Sequence, residues 1–135
     1  CWIKKYGNKG FTDNKIVLDL EDDVATVNWG GSWRMPTKAE QDELRNNCTW
    51  TWTTQNGVEG SKVVGPNGNS IFLPAAGYMG GGALYGAGSS GHYYSSSLNT
   101  GSLHLAYYVG FYSDYLDWGD SFIRYCGFTV RPVCQ

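Results

Sequence analysis

Hydrophobic and polar positions along the chain change period once, near residue 48. Before that point the apolar residues that recur do so at helical spacing; after it they alternate. Leu20, Val24 and Val27 stand at i, i+4 and i+7, one face of a short helix that Asp19 can cap and Gly30-Gly31 can stop. Residues 1–17 (CWIKKYGNKGFTDNKIV) carry no such period, with Gly7 and Gly10 as breakers and Asp13-Asn14 as a turn. A second helix is announced by Thr37 and Glu40, spaced as a capping box, and should run to about Asn46. Its apolar face is thin, mainly Ala39 and Leu44, which predicts a surface helix packed along one edge.

From Cys48 the pattern is that of strands. Cys48, Trp50 and Trp52 alternate with Thr49, Thr51 and Thr53, and Asn56-Gly57 reads as a hairpin turn. Short strands follow at Ser61 to Val64 and Ser70 to Leu73, separated by the turn residues 65–69 and ended by Pro74. The run from Gly77 to Gly91 is rich in glycine but has no following helix and no Lys, so it does not suit a phosphate; it reads as a long exposed loop. Strands resume at Gly91 to Ser97. In the next, Leu103, Leu105, Tyr107, Val109 and Phe111 form one face, and His104, Ala106, Tyr108, Gly110 and Tyr112 the other. Residues 115–119 read as loop or short strand, Phe122 to Tyr125 as a strand, and Phe128 to Val133 as the closing strand. The fold class is α+β: two short helices segregated from short antiparallel strands and long loops, in a single domain over residues 1–135.

Composition narrows the function classes. Charged residues are 16% and aromatics also 16%, with 19 Gly, which suits a loop-rich surface domain better than a cytosolic helical one. A net charge of −2 gives no pull toward nucleic acid. No stretch approaches the roughly 18 apolar residues of a membrane span, so direct membrane insertion is not expected. The chain starts at Cys1, and the expectation is the C-terminal part of a longer surface protein. Cys1, Cys48, Cys126 and Cys134 show no C-x-x-C spacing, which argues against zinc and thioredoxin-type chemistry. Three disulfide pairings are open, a Cys48–Cys134 link being one. Asp19, Glu21, Asp22 and Asp23 read first as carboxylates offsetting a helix dipole; they are also the chain's candidate calcium ligands, although their spacing matches no EF-hand loop.

The segment from Ser90 to Arg131 stands apart. It is dense in Tyr, Ser, Gly and Asp, and from Leu98 to Gly127 it contains no Lys, Glu, Gln or Met. Tyr offers a large amphipathic contact area at little rotamer entropy, and Ser, Gly and Asp offer adaptable hydrogen bonds, the mixture from which paratopes are built. So many Tyr on short strands cannot all point inward, which predicts a recognition surface.

Trp33-Arg34-Met35-Pro36-Thr37-Lys38-Ala39-Glu40 resembles the signature of formylglycine-generating-enzyme-type domains, a branch of the C-type lectin fold. Together with DNKIVLDLEDDVATVNWGGSWRMPTKAE, NGNSIFLPAAGY, YYSSSLN and GFTVRPV, the chain from Phe11 to Cys134 resembles the Fibrobacter succinogenes major paralogous domain, found in surface proteins of Bacteroidetes. The resemblance implies a C-type lectin-like fold and an N-terminal strand pairing with the closing strand, a role open to Trp2 and Ile3. Gln41 departs from the family, which places Trp there. Relatives are rich in Asn where this chain carries its Tyr-rich segment. The residue types found here can be reached from an AAC codon by changing adenines alone, whereas Lys, Glu, Gln, Met and Trp cannot; Trp118 occupies a position that relatives also fill with Trp. This is the pattern that a diversity-generating retroelement produces, and C-type lectin-like domains are its usual targets, so the resemblance implies that this segment is diversified.

The implied function is a non-enzymatic ligand-binding domain, an adhesin or receptor-binding module, on a cell surface, a pilus tip or a phage virion. Its partner would be a protein or glycan on another cell or surface. The variable face would comprise His104, Tyr108, Gly110, Tyr112, Asp114, Tyr115, Asp117, Gly119, Asp120, Ser121, Phe122, Ile123, Tyr125 and Cys126. Tyr108, Tyr112 and Tyr115 would anchor and Asp114, Asp117 and Asp120 form an acidic rim, favouring neutral or basic ligands. Trp29, Trp33, Trp50, Trp52, Leu105, Phe111, Trp118, Val130 and Pro132 would stiffen the scaffold. Two alternatives stand beside it, a calcium-dependent carbohydrate-binding lectin and a purely structural display domain; the Glu-Pro-Asn and Trp-Asn-Asp sugar motifs of lectins are absent. Catalysis is not expected and no cofactor beyond calcium is implied. Cys126 and Cys134 stand apart from the close reactive pair of formylglycine-generating enzymes, and His92 and His104 have no nucleophile–base arrangement legible in sequence.

Overall fold

The computed structural model describes residues 15–102, 104–117 and 121–134. They form a small α+β protein with two helices and mostly antiparallel strands in several small sheets. Helix α1 (Val24–Trp29) is capped by Asp23, not Asp19. One oxygen of the buried Asp23 carboxylate accepts from Ala25 N at 2.9 Å and Thr26 N at 3.1 Å. The other accepts from Met35 N at 2.9 Å, which fastens the helix start to a residue twelve positions on. Gly30 and Gly31, at φ 64° and 59°, stop the helix as expected. The predicted apolar face is a correction: Leu20, Val24 and Val27 are exposed; the helix begins only at Val24, so Leu20 precedes it, and it packs inward through Ala25.

Strand β1 (Trp33–Arg34) pairs antiparallel with β11 (Val133–Cys134). Helix α2 (Lys38–Asn47) carries the predicted capping box. Arg34 adds two bonds to Glu40, at 2.8 and 2.6 Å, and this guanidinium, more than any other group, holds the Glu40 carboxyl down at about 2. The buried edge of α2 is not Ala39, which is exposed, but Gln41. Its amide donates to Tyr93 O at 3.0 Å, so this polar residue joins helix to sheet.

Strands β2 (Thr49–Gln55), β3 (Val58–Val64) and β4 (Ser70–Pro74) form a meander. Asn56 and Gly57, at φ 52° and 79°, supply the two positive φ values of a tight hairpin. This sheet faces β7 (Ser90–Leu98) and β8 (Leu105–Tyr112), which pair with β10 (Phe122–Ile123) and β9 (Leu116–Asp117) on β8. Between the sheets lie Val63, Leu73, Ala75, Tyr93, Val109 and Phe111, with Trp50, Trp52, Leu44 and Leu116 around them. Phe111 is fully buried, stacked on Tyr93 and met edge-on by Trp52.

Five further expectations are corrected. The glycine-rich run is not one long loop: β5 (Tyr78–Gly80) and β6 (Ala83–Tyr85) pair as a hairpin turned by Gly81-Gly82, both at positive φ. The closing strand is broken into single bridges, Gly127 on Met79 and Thr129 on Tyr93, before β11, and Phe122 to Tyr125 is strand only as far as Ile123. Trp29 and Trp33 are exposed, so the stiffening core rests on Trp50, Trp52 and Phe111 instead. Cys48 is a free thiol, so the Cys48–Cys134 link does not form; Cys134 Sγ lies 3.1 Å from Ser32 Oγ. Trp2, Ile3 and Trp118 lie outside the described residues. Among those described, no helix is long and apolar enough to cross a membrane.

Candidate functional site

Alternation along β8 divides the sheet. Val109 and Phe111 enter the core; Tyr108, Gly110 and Tyr112 occupy the other face, as the period of two predicts. On β7, Tyr93 points into the core, while His92, paired with Gly110, and Tyr94, paired with Tyr108, share the opposite face. Phe122 from β10, Phe128 and the tyrosines of the β5–β6 hairpin close around them.

The result is a continuous aromatic strip. Tyr85 stacks on Tyr78 with centroids 5.4 Å apart; Tyr78 meets His92 edge-on at 5.2 Å; His92 meets Tyr112 at 5.9 Å; and Tyr112 stacks on Tyr115 at 4.5 Å. Phe122 and Phe128, stacked at 5.2 Å, pack against Tyr108 beside it. Both ends are open, with Tyr85 50% and Tyr115 54% exposed, whereas His92 in the floor is 5% exposed.

Polar groups within the strip are held in place. Tyr108 Oη donates to Asp117 Oδ2 at 2.7 Å; burial first, then this bond to a carboxylate, raises the phenol's pKa. Tyr94 Oη donates to Ile123 O at 2.7 Å, fixing β10 against β7. His92 Nε2 lies 3.2 Å from Ser90 Oγ, and Nδ1 has no partner among the described residues. Burial lowers the imidazole's pKa, and the Asp117 charge opposes that only in part. Ser90 is itself buried and its hydroxyl reaches Gly86 O at 3.3 Å. The pair is therefore part of the floor and presents no accessible nucleophile.

Of the residues named from the sequence, Tyr108, Gly110, Tyr112, Tyr115, Asp117 and Phe122 come together here. Asp114 is exposed in the turn between β8 and β9. Ser121 faces Asn99, whose amide lies 2.9 Å from its hydroxyl. Ile123 is in β10; His104, whose carbonyl accepts from Arg124 N, and Tyr125, 69% exposed, border that end of the sheet. Cys126 is a correction: its thiol is buried rather than displayed. Gly119 and Asp120 lie outside the described residues. Sequence reasoning missed Tyr78, Tyr85, His92, Tyr94 and Phe128. Reading Gly81-Gly82 as a hairpin turn would have found the first two, and extending the β7 alternation would have found the next two.

Of the calcium candidates, Asp19, Glu21 and Asp22 can bring one oxygen each within 4.8 Å of one another. Asp23 does not join them, since both its oxygens serve backbone N–H groups, and Asp19 is paired with Lys15. Searches against family models, curated proteins and solved structures match nothing to this chain.

Proposed function

We propose that the chain is a non-enzymatic ligand-binding domain of C-type lectin-like type that acts through the aromatic strip on β7, β8, β9 and β10. The observation that carries this reading is the gathering of Tyr108, Tyr112, Tyr115, Asp117 and Phe122, residues within the stretch that composition sets apart and at the positions the resemblance implies, beside Tyr78 and Tyr85 on one face of a sheet whose other face is the core. Stacked tyrosines with half-exposed rings present contact area at a low ordering cost, and a sheet held by Phe111 and Trp50 from behind keeps that cost low when side chains change. Asp114 and Asp117 make the strip mildly acidic, favouring neutral or basic partners on another cell or surface. Exchange of these residues by a retroelement fits the same arrangement.

The test is a display library with positions 108, 112, 114, 115, 117 and 122 randomised and the rest fixed, selected against lysozyme and streptavidin as unrelated targets. Target-specific binders that melt cooperatively are expected. A library in which nearly every member is unfolded, or whose binders owe nothing to these positions, overturns the reading. A genomic repeat differing from this segment only at adenines, beside a reverse transcriptase, tests the origin of the variation.

A further inference from the structure

The aromatic strip is not uniform along its length, and its β8–β9 end differs in chemistry from its floor. Tyr112 N donates to Tyr115 O at 2.8 Å, closing a four-residue turn in which the two rings stack 4.5 Å apart and 14° from parallel. Tyr112 covers one face of the Tyr115 ring, and Tyr115 is 54% exposed, so its other face is open to solvent. Asp114 sits in the turn between them, exposed and with no hydrogen bond or ion pair among the described residues. Asp117 stands on the facing strand, opposite Gly110. Burial first, then Tyr115 and the Asp117 charge, raise the Tyr112 phenol, and the same charge acts on Tyr108 and His92. Among the described residues no Lys or Arg charge is felt at these three side chains, whereas Arg124 is felt at Tyr94, on the β10 side.

An electron-rich ring face beside an unpaired carboxylate is a surface that a cation completes. Arg suits it better than Lys. Its planar guanidinium can lie on a ring while its edge donors stay free for a carboxylate, which a compact, strongly hydrated ammonium cannot do at once. We infer that the Tyr112–Asp114–Tyr115 end takes the guanidinium of an arginine displayed by a protein partner, stacked on the open face of Tyr115 with Asp114 as its counter-charge; this rests on the reading of the strip as the binding surface. A glycan offers no guanidinium, so this end of the strip selects protein partners over glycans.

A random peptide library displayed on phage and panned on the full chain tests this. Among binders that Tyr115→Leu weakens, Arg is expected to be enriched over the unselected library and over Lys. For one such peptide, citrulline in place of its Arg should cost about two- to fivefold in affinity, and Asp114→Asn a comparable factor that grows at low salt. The two losses should not add, because the citrulline peptide has no charge left for Asp114 to meet. The citrulline arm leaves the protein untouched, so a misfolded variant could not imitate its result. Binders that depend on Tyr115 but are no richer in Arg than in Lys, or whose two losses simply add, overturn the inference and leave the strip's binding role standing. A selection that yields no binder, or only binders indifferent to Tyr85→Ala and Tyr115→Leu alike, overturns both.

Discussion

Glycines at two positions test how tightly the strip is built. A Cβ at Gly91 would overlap the ring of the buried Phe111, and that ring is locked by Tyr93, Trp50 and Trp52. Gly91→Ala should therefore cost more than about 3 kcal/mol, read from urea unfolding. At Gly110 the added carbon meets Asp117 Cβ, which is fixed to the β9 backbone, at 2.9 Å and the ring edge of Tyr108, Cε2, at 3.1 Å. Gly110→Ala should therefore cost about 1–3 kcal/mol, and Asp117→Gly, which removes the facing Cβ, should relieve more of it than Asp117→Ala, which keeps it. Titration enters at this scale too. The Glu40 carboxyl, held at about 2 by Arg34, has a folded pKa below its unfolded one, so its contribution is present above about pH 4.5 and fades as pH falls toward 2. Glu40→Gln should flatten the stability profile across that window. His92 has the same sign for a different reason. Its pKa is lowered by burial, so the unfolded chain takes up the proton first and stability falls as pH drops below about 6.5; a chain carrying His92→Gln should lack that step.

Elements differ in how far their residues announced them. Helix α2 and the β2–β3 hairpin were legible because their signals are local: a capping box within four residues and an Asn-Gly pair that alone among its neighbours accepts positive φ. The faces of β8 were legible because alternation is dictated by the pleat. What was not legible depended on distant partners. Asp23 outcompetes Asp19 as a cap because Met35, far along the chain, supplies a third donor. The closing strand is broken because Gly127 and Thr129 find partners in different elements. In the glycine-rich run Gly81-Gly82 is a local hairpin signal, but seven glycines in fifteen residues offer many turns, and it is Tyr78 packing on His92 and Phe128 that selects this one. The two caps should separate in experiment. Thr37→Ala should cost about 1 kcal/mol, whereas Asp23→Ala strands three buried or half-buried N–H groups and should cost roughly 2–4 kcal/mol, measured as the difference in urea midpoints at constant m-value.

At the scale of the whole molecule, two layers divide the labour: aromatic and aliphatic packing between the sheets gives rigidity, and on the proposed reading the far side of the outer sheet gives contact. Replacing both Tyr112 and Tyr115 by Ala should therefore abolish binding of any ligand selected on the strip while shifting the melting temperature little, since Tyr115 is half exposed and Tyr112 lies near the strip's open end. The bond from Tyr108 to Asp117 has a wider consequence. It joins two strands through two positions that are both candidates for exchange, so these positions cannot vary as independent letters. A change at one alters which residues the other tolerates, with a coupling of about 0.5–3 kcal/mol in a double-mutant cycle. A repertoire built on this domain would then be counted in compatible pairs, and its usable size would be smaller than the product of its single-site choices.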